Sequence, residues 1–269
     1  MHGLGVTDWL TTRVPEVAIP ALEALTQLGD AWFLAALAAV GYWHGPGRIL
    51  DSFDDGLRFV AATLTGLAAV STLKALVGHP RPPADVALVA TDGLSLPSGH
   101  ATGSAAAFLA AALLWTVSTR RRRLAVAGFG VALVSATRLA LGVHYLLDVV
   151  AGALLGAVAA LAVVAIPPER TEYGLWLAAA VGALGFLGPG STDALAVAGV
   201  AAGVGLAWVA IRERSLARPG RLRTLAGAAV VAALLGAVLS LSLAPVPVAI
   251  MSVCSGAVLG ALPAQNFSR

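Results

Sequence analysis

Charge and cysteine are what this sequence has least of. Asp, Glu, Lys and Arg make up only 12% of its 269 residues, against roughly 25% in an average soluble domain. The lone cysteine, Cys254, excludes an intramolecular disulfide, and its place in an apolar run predicts a small buried packing residue. Aromatic residues are sparse, at 6%. No segment reads as a basic nucleic-acid arm, so no nucleic-acid partner is expected. Met1 is followed by neither a basic leader nor a small-residue cleavage site, so no processed leader is expected.

Apolar residues fill the space that charge leaves. They are 58% of the chain, and mean hydropathy is +0.87. Apolar runs recur at about the ~20 residues an α-helix needs to cross a bilayer. The fold class expected is therefore an all-α, polytopic transmembrane helical bundle. Spans are predicted near Ala31 to Trp43, Phe59 to Val77, His100 to Val117, Leu124 to Leu141, Leu146 to Ile166, Leu175 to Leu187, Ala194 to Ile211, Leu225 to Leu243 and Val246 to Leu262. That makes about nine. A short helix near Val17 to Leu28, interrupted by Glu16, Glu23 and Asp30, reads as a surface or re-entrant segment.

Arg120 to Arg123 form one loop, and Arg212, Arg214, Arg218, Arg221 and Arg223 another. The positive-inside rule makes both cytoplasmic, and alternate spans put Arg48, Arg58 and Arg170 on the same side. Lys74 to His100 and the Arg138 to Asp148 corner then face the extracytoplasmic side of the cell membrane. Trp9, Trp32, Trp43 and Trp115 read as interfacial belt residues. From Pro167 onward the spans carry almost no polar residues. The chain thus divides into residues 1–166, where chemistry is expected, and an extension of about four spans over residues 167–269.

Three polar groups fall at span ends on that outer side: Lys74 with Arg81, then Pro97-Ser98-Gly99-His100, then Arg138, His144 and Asp148. Ionised groups near a bilayer are costly and face a partner or a wet cavity. Lys74, Arg81 and Arg138 gathered around Asp148 as the one nearby anion leave a site suited to phosphate. Ser98 is a good N-cap, and Gly99 lets a backbone amide approach an anion at a helix N-terminus. His100 beside that anion can move a proton near neutral pH. His144 and Asp148, four apart, share a helical face, so the carboxylate can fix the imidazole tautomer and free the other nitrogen. Taken singly, each group also has a bland reading: Lys74 and Arg81 as snorkelling cations, Ser98 as a cap, His144 with Asp148 as a structural bond. His44 and His79 keep the interfacial one.

At these residues the sequence resembles the type-2 phosphatidic acid phosphatase superfamily of membrane lipid phosphatases. Lys74, Arg81 and Pro82 match its first motif, Pro97 to His100 its second, and Arg138, His144 and Asp148 its third, with Thr137 where the family most often has serine. The resemblance covers about residues 20 to 166 and implies a phosphatase core of roughly five spans. It implies His144 as the nucleophile forming a phosphohistidine, Asp148 as its orienter and His100 as the general acid. Lys74, Arg81, Ser98, Gly99 and Arg138 would hold the phosphate, with no metal or other cofactor. The expected partners are a lipid phosphate or diphosphate substrate and membrane lipids. A phosphotransferase using the same phosphohistidine and a non-catalytic lipid-phosphate binder or transporter are the competing readings. Soluble vanadium haloperoxidases share the constellation, but the lipid-embedded setting argues against that chemistry.

Overall fold

The structure is a computed structural model that describes residues 5–264. Met1, on which the leader reading depends, lies outside them. Eleven α-helices are present among the described residues: α1 Gly5–Thr11, α2 Ile19–Thr26, α3 Ala31–His44, α4 Phe53–Val77, α5 Gly99–Leu114, α6 Arg120–Ala140, α7 Leu146–Val164, α8 Glu172–Leu187, α9 Thr192–Ile211, α10 Arg221–Ser240 and α11 Pro245–Ala261. Each of the nine expected spans corresponds to one of α3 to α11, in an all-helical membrane fold.

The helices differ in reach. Five, α4, α6, α7, α9 and α10, are long and apolar enough to cross a membrane, while α5, α8 and α11 are shorter apolar helices. At 1.5 Å per residue the 14-residue α3 extends only about 21 Å. The segment Glu16–Gly29 and α3 meet the span criteria only as a pair, bent by 46° at the break between them, the form of a broken span or a re-entrant segment. The short helix set apart in the sequence thus adjoins α3 through a break at Asp30.

Local chemistry explains where the helices start and stop. α4 begins six residues earlier than hydropathy suggests, because Ser52 caps it by accepting from the Asp55 amide at 3.1 Å, and Asp54 and Asp55 sit in the first turn against the positive end of the helix dipole. It stops at Gly78, whose φ of 64° is left-handed. Gly142 marks the corner between α6 and α7, with φ +74°. A Cβ there would meet Thr11 Cγ2 at 2.8 Å and Ala87 Cα at 3.1 Å, so glycine is required on both counts.

α5 is central, packed on α4, α6 and α7. Its contact with α7 is close because Gly152 and Gly156 of α7 present no side chain; a Cβ on Gly152 would lie 2.6 Å from Ser98 O, and one on Gly156 2.8 Å from Ala105 Cβ. The main core runs without a break from Leu34, Tyr42, Phe59 and Ala110 to Leu175, Val204, Trp208 and Leu259, so α8, α9 and α11 pack directly against α3 and α4. One end of the bundle gathers the arginines, tied by Arg58 to Val164 O, Thr116 N to Ile49 O at 2.9 Å and Arg212 to Glu172 at 3.0 Å. The other end gathers the polar motifs.

Two packing expectations are corrected. Cys254 is exposed: the buried side of α11 is Val248, Ser252, Ser255, Gly256 and Leu259, and Cys254 lies two residues, about 200°, round from Ser252. Trp43 is a core residue, not a belt residue. It is 3% exposed and its indole N–H donates to Leu259 O at 2.9 Å. Trp9 and Trp32 are exposed, as a belt requires.

Candidate active site

His144 lies in the corner between α6 and α7 and is 1% exposed. Asp148, 2% exposed, sits at the N3 position of α7 and receives three donors on one oxygen, Oδ2. The Tyr145 amide donates at 2.8 Å, closing a capping box; His144 Nδ1 lies at 3.2 Å; the Ser95 hydroxyl donates to the same oxygen. Ser95 Oγ is also 3.3 Å from His144 Nδ1. With Nδ1 turned to the carboxylate, Nε2 is the free nitrogen. It faces Arg81, whose Nη1 is 3.3 Å away.

Arg81 is held by its own backbone contacts, Nε donating to Asp92 O at 2.8 Å and Nη1 to Val143 O at 2.9 Å. Lys74, the chain's single lysine, is in the last turn of α4 and donates to Leu94 O at 2.9 Å, spending one of three donors. Arg138 reaches in from the last turn of α6; its Nη1 donates to Thr26 Oγ1 at 3.2 Å, and its buried Nε has no protein partner. The charges of Arg81, Arg138 and Lys74 all act on His144. Burial first, then these three cations, hold its imidazole well below the ordinary value, with the Asp148 bond working the other way. These effects favour the neutral ring, the form whose unprotonated nitrogen carries a lone pair.

The Pro-Ser-Gly-His stretch forms the opposite wall. Ser98 caps α5, its side chain accepting from the Ala101 amide at 3.5 Å, and its own amide donates to Asp148 O at 2.9 Å, tying α5 to α7. A Cβ on Gly99 would meet nothing within 4 Å, so the backbone there borders open space. His100 belongs to this cluster, within the fields of Arg138 and Lys74.

The structure therefore brings together all eight residues singled out by sequence, and adds three. Ser95, fully buried, is a positioning group for Asp148 and His144. Thr26 holds Arg138. Asp30 lies 3.4 Å from His100 Nε2 and acts on Arg138. The charge count is corrected accordingly: three cations face two inner anions, Asp30 and Asp148. An ionisable residue inside an apolar stretch was the available signal for Asp30. His79 rests edge-on against Tyr145, ring centroids 5.7 Å apart. Among the described residues no group of three His, Cys, Asp or Glu side chains forms a metal-binding cluster.

A buried imidazole with one nitrogen held by a carboxylate and the other facing Arg81, within the fields of Arg138 and Lys74, is an arrangement suited to phosphoryl transfer. Residues 55–172, which span α4 to α7 and hold all three motifs, match the PAP2 superfamily. That match covers the α4 to α7 core and bears out the resemblance read from the motifs. The chain is also similar to the crystal structure of the first transmembrane PAP2-type phosphatidylglycerolphosphate phosphatase from Bacillus subtilis, at 26% identity and a TM-score of 0.52, over 59% of this chain and 80% of that one. The apolar helices and this neighbour make the protein an integral membrane protein, with a core similar to PAP2-type phosphatases. No significant match is found among curated proteins.

Proposed function

We propose that the chain is an integral-membrane phosphatase that hydrolyses a lipid phosphate or diphosphate through a phosphohistidine on His144, without a metal. The observation that carries this reading is the His144 ring, with Nδ1 tied to Asp148 at 3.2 Å and Nε2 turned toward Arg81. The PAP2 match and the membrane phosphatase neighbour support the phosphatase class.

In the first step the Nε2 lone pair forms a bond to phosphorus while the ester P–O bond breaks, and His100 gives its proton to the departing oxygen. Lys74, Arg81, Arg138, the Ser98 hydroxyl and the Gly99 amide take up the charge that develops on the phosphoryl oxygens. Asp148 stabilises the charged ring that results. In the second step water attacks phosphorus, His100 removes its proton, and the P–N bond returns its electrons to Nε2.

The lipid reading is supported by an apolar groove of about 500 Å³ between α6 and α7, floored by α5 and lined by Leu109, Leu124, Val131, Leu139, Val150 and Ala157. Leu139 and Val149, at its outer end, directly follow Arg138 and Asp148 in sequence. A hydrocarbon chain lying there leaves its phosphate at the cations. The substrate class extends from a phosphatidate or glycerophosphate lipid, as in the name of the structural neighbour, to a polyprenyl diphosphate. Residues 1–166 would carry the chemistry, while α8, α9 and α11 of the C-terminal extension pack against α3 and α4. The arginine clusters, read by the positive-inside rule, support a site on the extracytoplasmic side of the cell membrane; an impermeant thiol reagent should label Ala84→Cys but not Arg121→Cys in sealed cells, and the reverse pattern refutes this sidedness.

The deciding assay is phosphate release by purified protein in detergent from phosphatidate, phosphatidylglycerophosphate and polyprenyl diphosphate. Release in chelator that falls by about 10³-fold or more in His144→Ala is expected. Release unchanged in that variant refutes the reading. Transfer to an added alcohol in place of water would identify a phosphotransferase.

A further inference from the structure

The break between α2 and α3 carries an acidic residue that does not do what its position normally requires. Asp30 is the N-cap of α3, with extended dihedrals of φ −71° and ψ 145°, and aspartate is among the best residues for that role. Yet its side chain makes no capping hydrogen bond. Its Oδ1 lies instead 3.4 Å from Nε2 of His100, at the start of α5.

The approach is built into the packing. Gly29 lies so close to α5 that a Cβ on it would meet His100 Cβ and His100 O, each at 3.0 Å, and Val134 Cγ1 at 2.6 Å. One turn further along α5, a Cβ on Gly103 would meet Leu34 Cδ1 at 2.5 Å. Two glycines, one on each side, therefore let the 46° break sit against the first turn of α5. The other charged groups acting on His100, Arg138 from α6 and Lys74 from α4, are both cations. Asp30 is the counter-charge beside the ring.

We propose that Asp30 is a positioning residue for His100, holding Nε2 so that Nδ1 is the nitrogen that delivers and recovers the proton of the reaction. The site then contains two His–Asp pairs with distinct tasks. Asp148 holds Nδ1 of His144 and frees Nε2 to attack; Asp30 holds Nε2 of His100 and frees Nδ1 for the leaving group. When His100 gives its Nδ1 proton to the departing ester oxygen, it becomes the neutral Nε2–H tautomer, which Asp30 accepts from. When it takes a proton from water, the carboxylate stabilises the cation that forms. The N-terminal segment, outside the matched residues 55–172, thereby completes the active site.

This role rests on the phosphatase reading, and the test keeps the two apart. Rates are compared for wild type, Asp30→Asn and Asp30→Glu on an alkyl phosphate, whose alkoxide needs a proton to leave, and on 4-nitrophenyl phosphate, whose leaving group does not. General acid catalysis contributes about 10²- to 10⁴-fold. Asp30→Asn should slow alkyl phosphate cleavage at least about tenfold more than nitrophenyl cleavage, with Asp30→Glu partly restoring the ratio. Equal losses on both substrates, or none on either, overturn the proposal. An independent readout needs no turnover: nitrogen NMR of histidine-labelled protein should show neutral His100 as the Nε2–H tautomer in wild type and a shift toward Nδ1–H in Asp30→Asn. An unchanged tautomer overturns the role of Asp30, whereas an inactive wild type overturns the phosphatase reading alone.

Discussion

Removing the Ser95 hydroxyl should slow the reaction without emptying the site. Ser95 donates to Asp148 Oδ2, the oxygen that also receives the Tyr145 amide at 2.8 Å and His144 Nδ1 at 3.2 Å. Hydrogen bonds to charged groups contribute about 1.5 to 3 kcal/mol. In Ser95→Ala two of the three donors remain, so the carboxylate keeps its attachment to the backbone and to the ring. It loses the contact that fixes its rotation and the oxygen 3.3 Å from His144 Nδ1. If the whole hydrogen-bond energy is expressed in the transition state, the loss is about 10- to 150-fold in kcat, at 1.36 kcal/mol per decade. KM should change little, since Ser95 faces the carboxylate and not the phosphate. The assay is steady-state phosphate release, with the thermal midpoint of the variant as a folding control. A change below about twofold in kcat, in a variant as stable as wild type, would refute the claim that Ser95 positions Asp148.

Three further outcomes follow from packing and charge. The lowered His144 ionisation means its NMR signal should stay that of a neutral ring as pH falls from about 8 to about 5.5, and a midpoint near the ordinary 6.5 would contradict it. The sign for stability is the same: below about 6.5 the unfolded chain takes up a proton that folded His144 refuses, so this residue's contribution is complete above that pH and is lost as pH falls toward the folded value. Gly156→Ala should destabilise by about 1 to 3 kcal/mol in detergent unfolding, because the added methyl meets Ala105 Cβ at 2.8 Å and the backbone of Ala106 at 2.9 Å; an unchanged midpoint would refute the close α5 to α7 contact. Ala132→Trp fills the groove between α6 and α7 and should raise KM about tenfold or more for a long-chain lipid phosphate but not for a short soluble one. Equal KM effects on both would remove the groove from substrate binding.

Most of the candidate site was legible in the sequence because its members are held by short, regular spacings. The step from His144 to Asp148 is one helical turn, and the structure keeps it as one. The step from Pro97 to His100 is a cap and a helix start, and Ser98 indeed caps α5. Helix order was equally legible, since long apolar runs leave little choice. What could not be read were partners that meet the site from elsewhere in the chain. Thr26 and Asp30 lie 112 residues from Arg138 and 70 from His100, and only the folding of the α2 to α3 break onto α5 and α6 brings them in. Asp30 therefore registers in the sequence as an interruption of an apolar stretch. Cys254 and Trp43 failed for a related reason: α11 and α3 are apolar all round, so hydropathy gives no sense of which side faces lipid and which faces protein.

The central claim is that phosphorus passes through His144, and the most direct measurement is a rapid acid-avoiding quench of wild-type protein turning over radiolabelled lipid phosphate, followed by mapping of the labelled peptide. The account predicts a base-stable, acid-labile phosphoryl group on His144, absent in His144→Ala and longer-lived when His100 is replaced by alanine. Turnover at the wild-type rate with no label on His144 at any time point, or label on another residue, would contradict it.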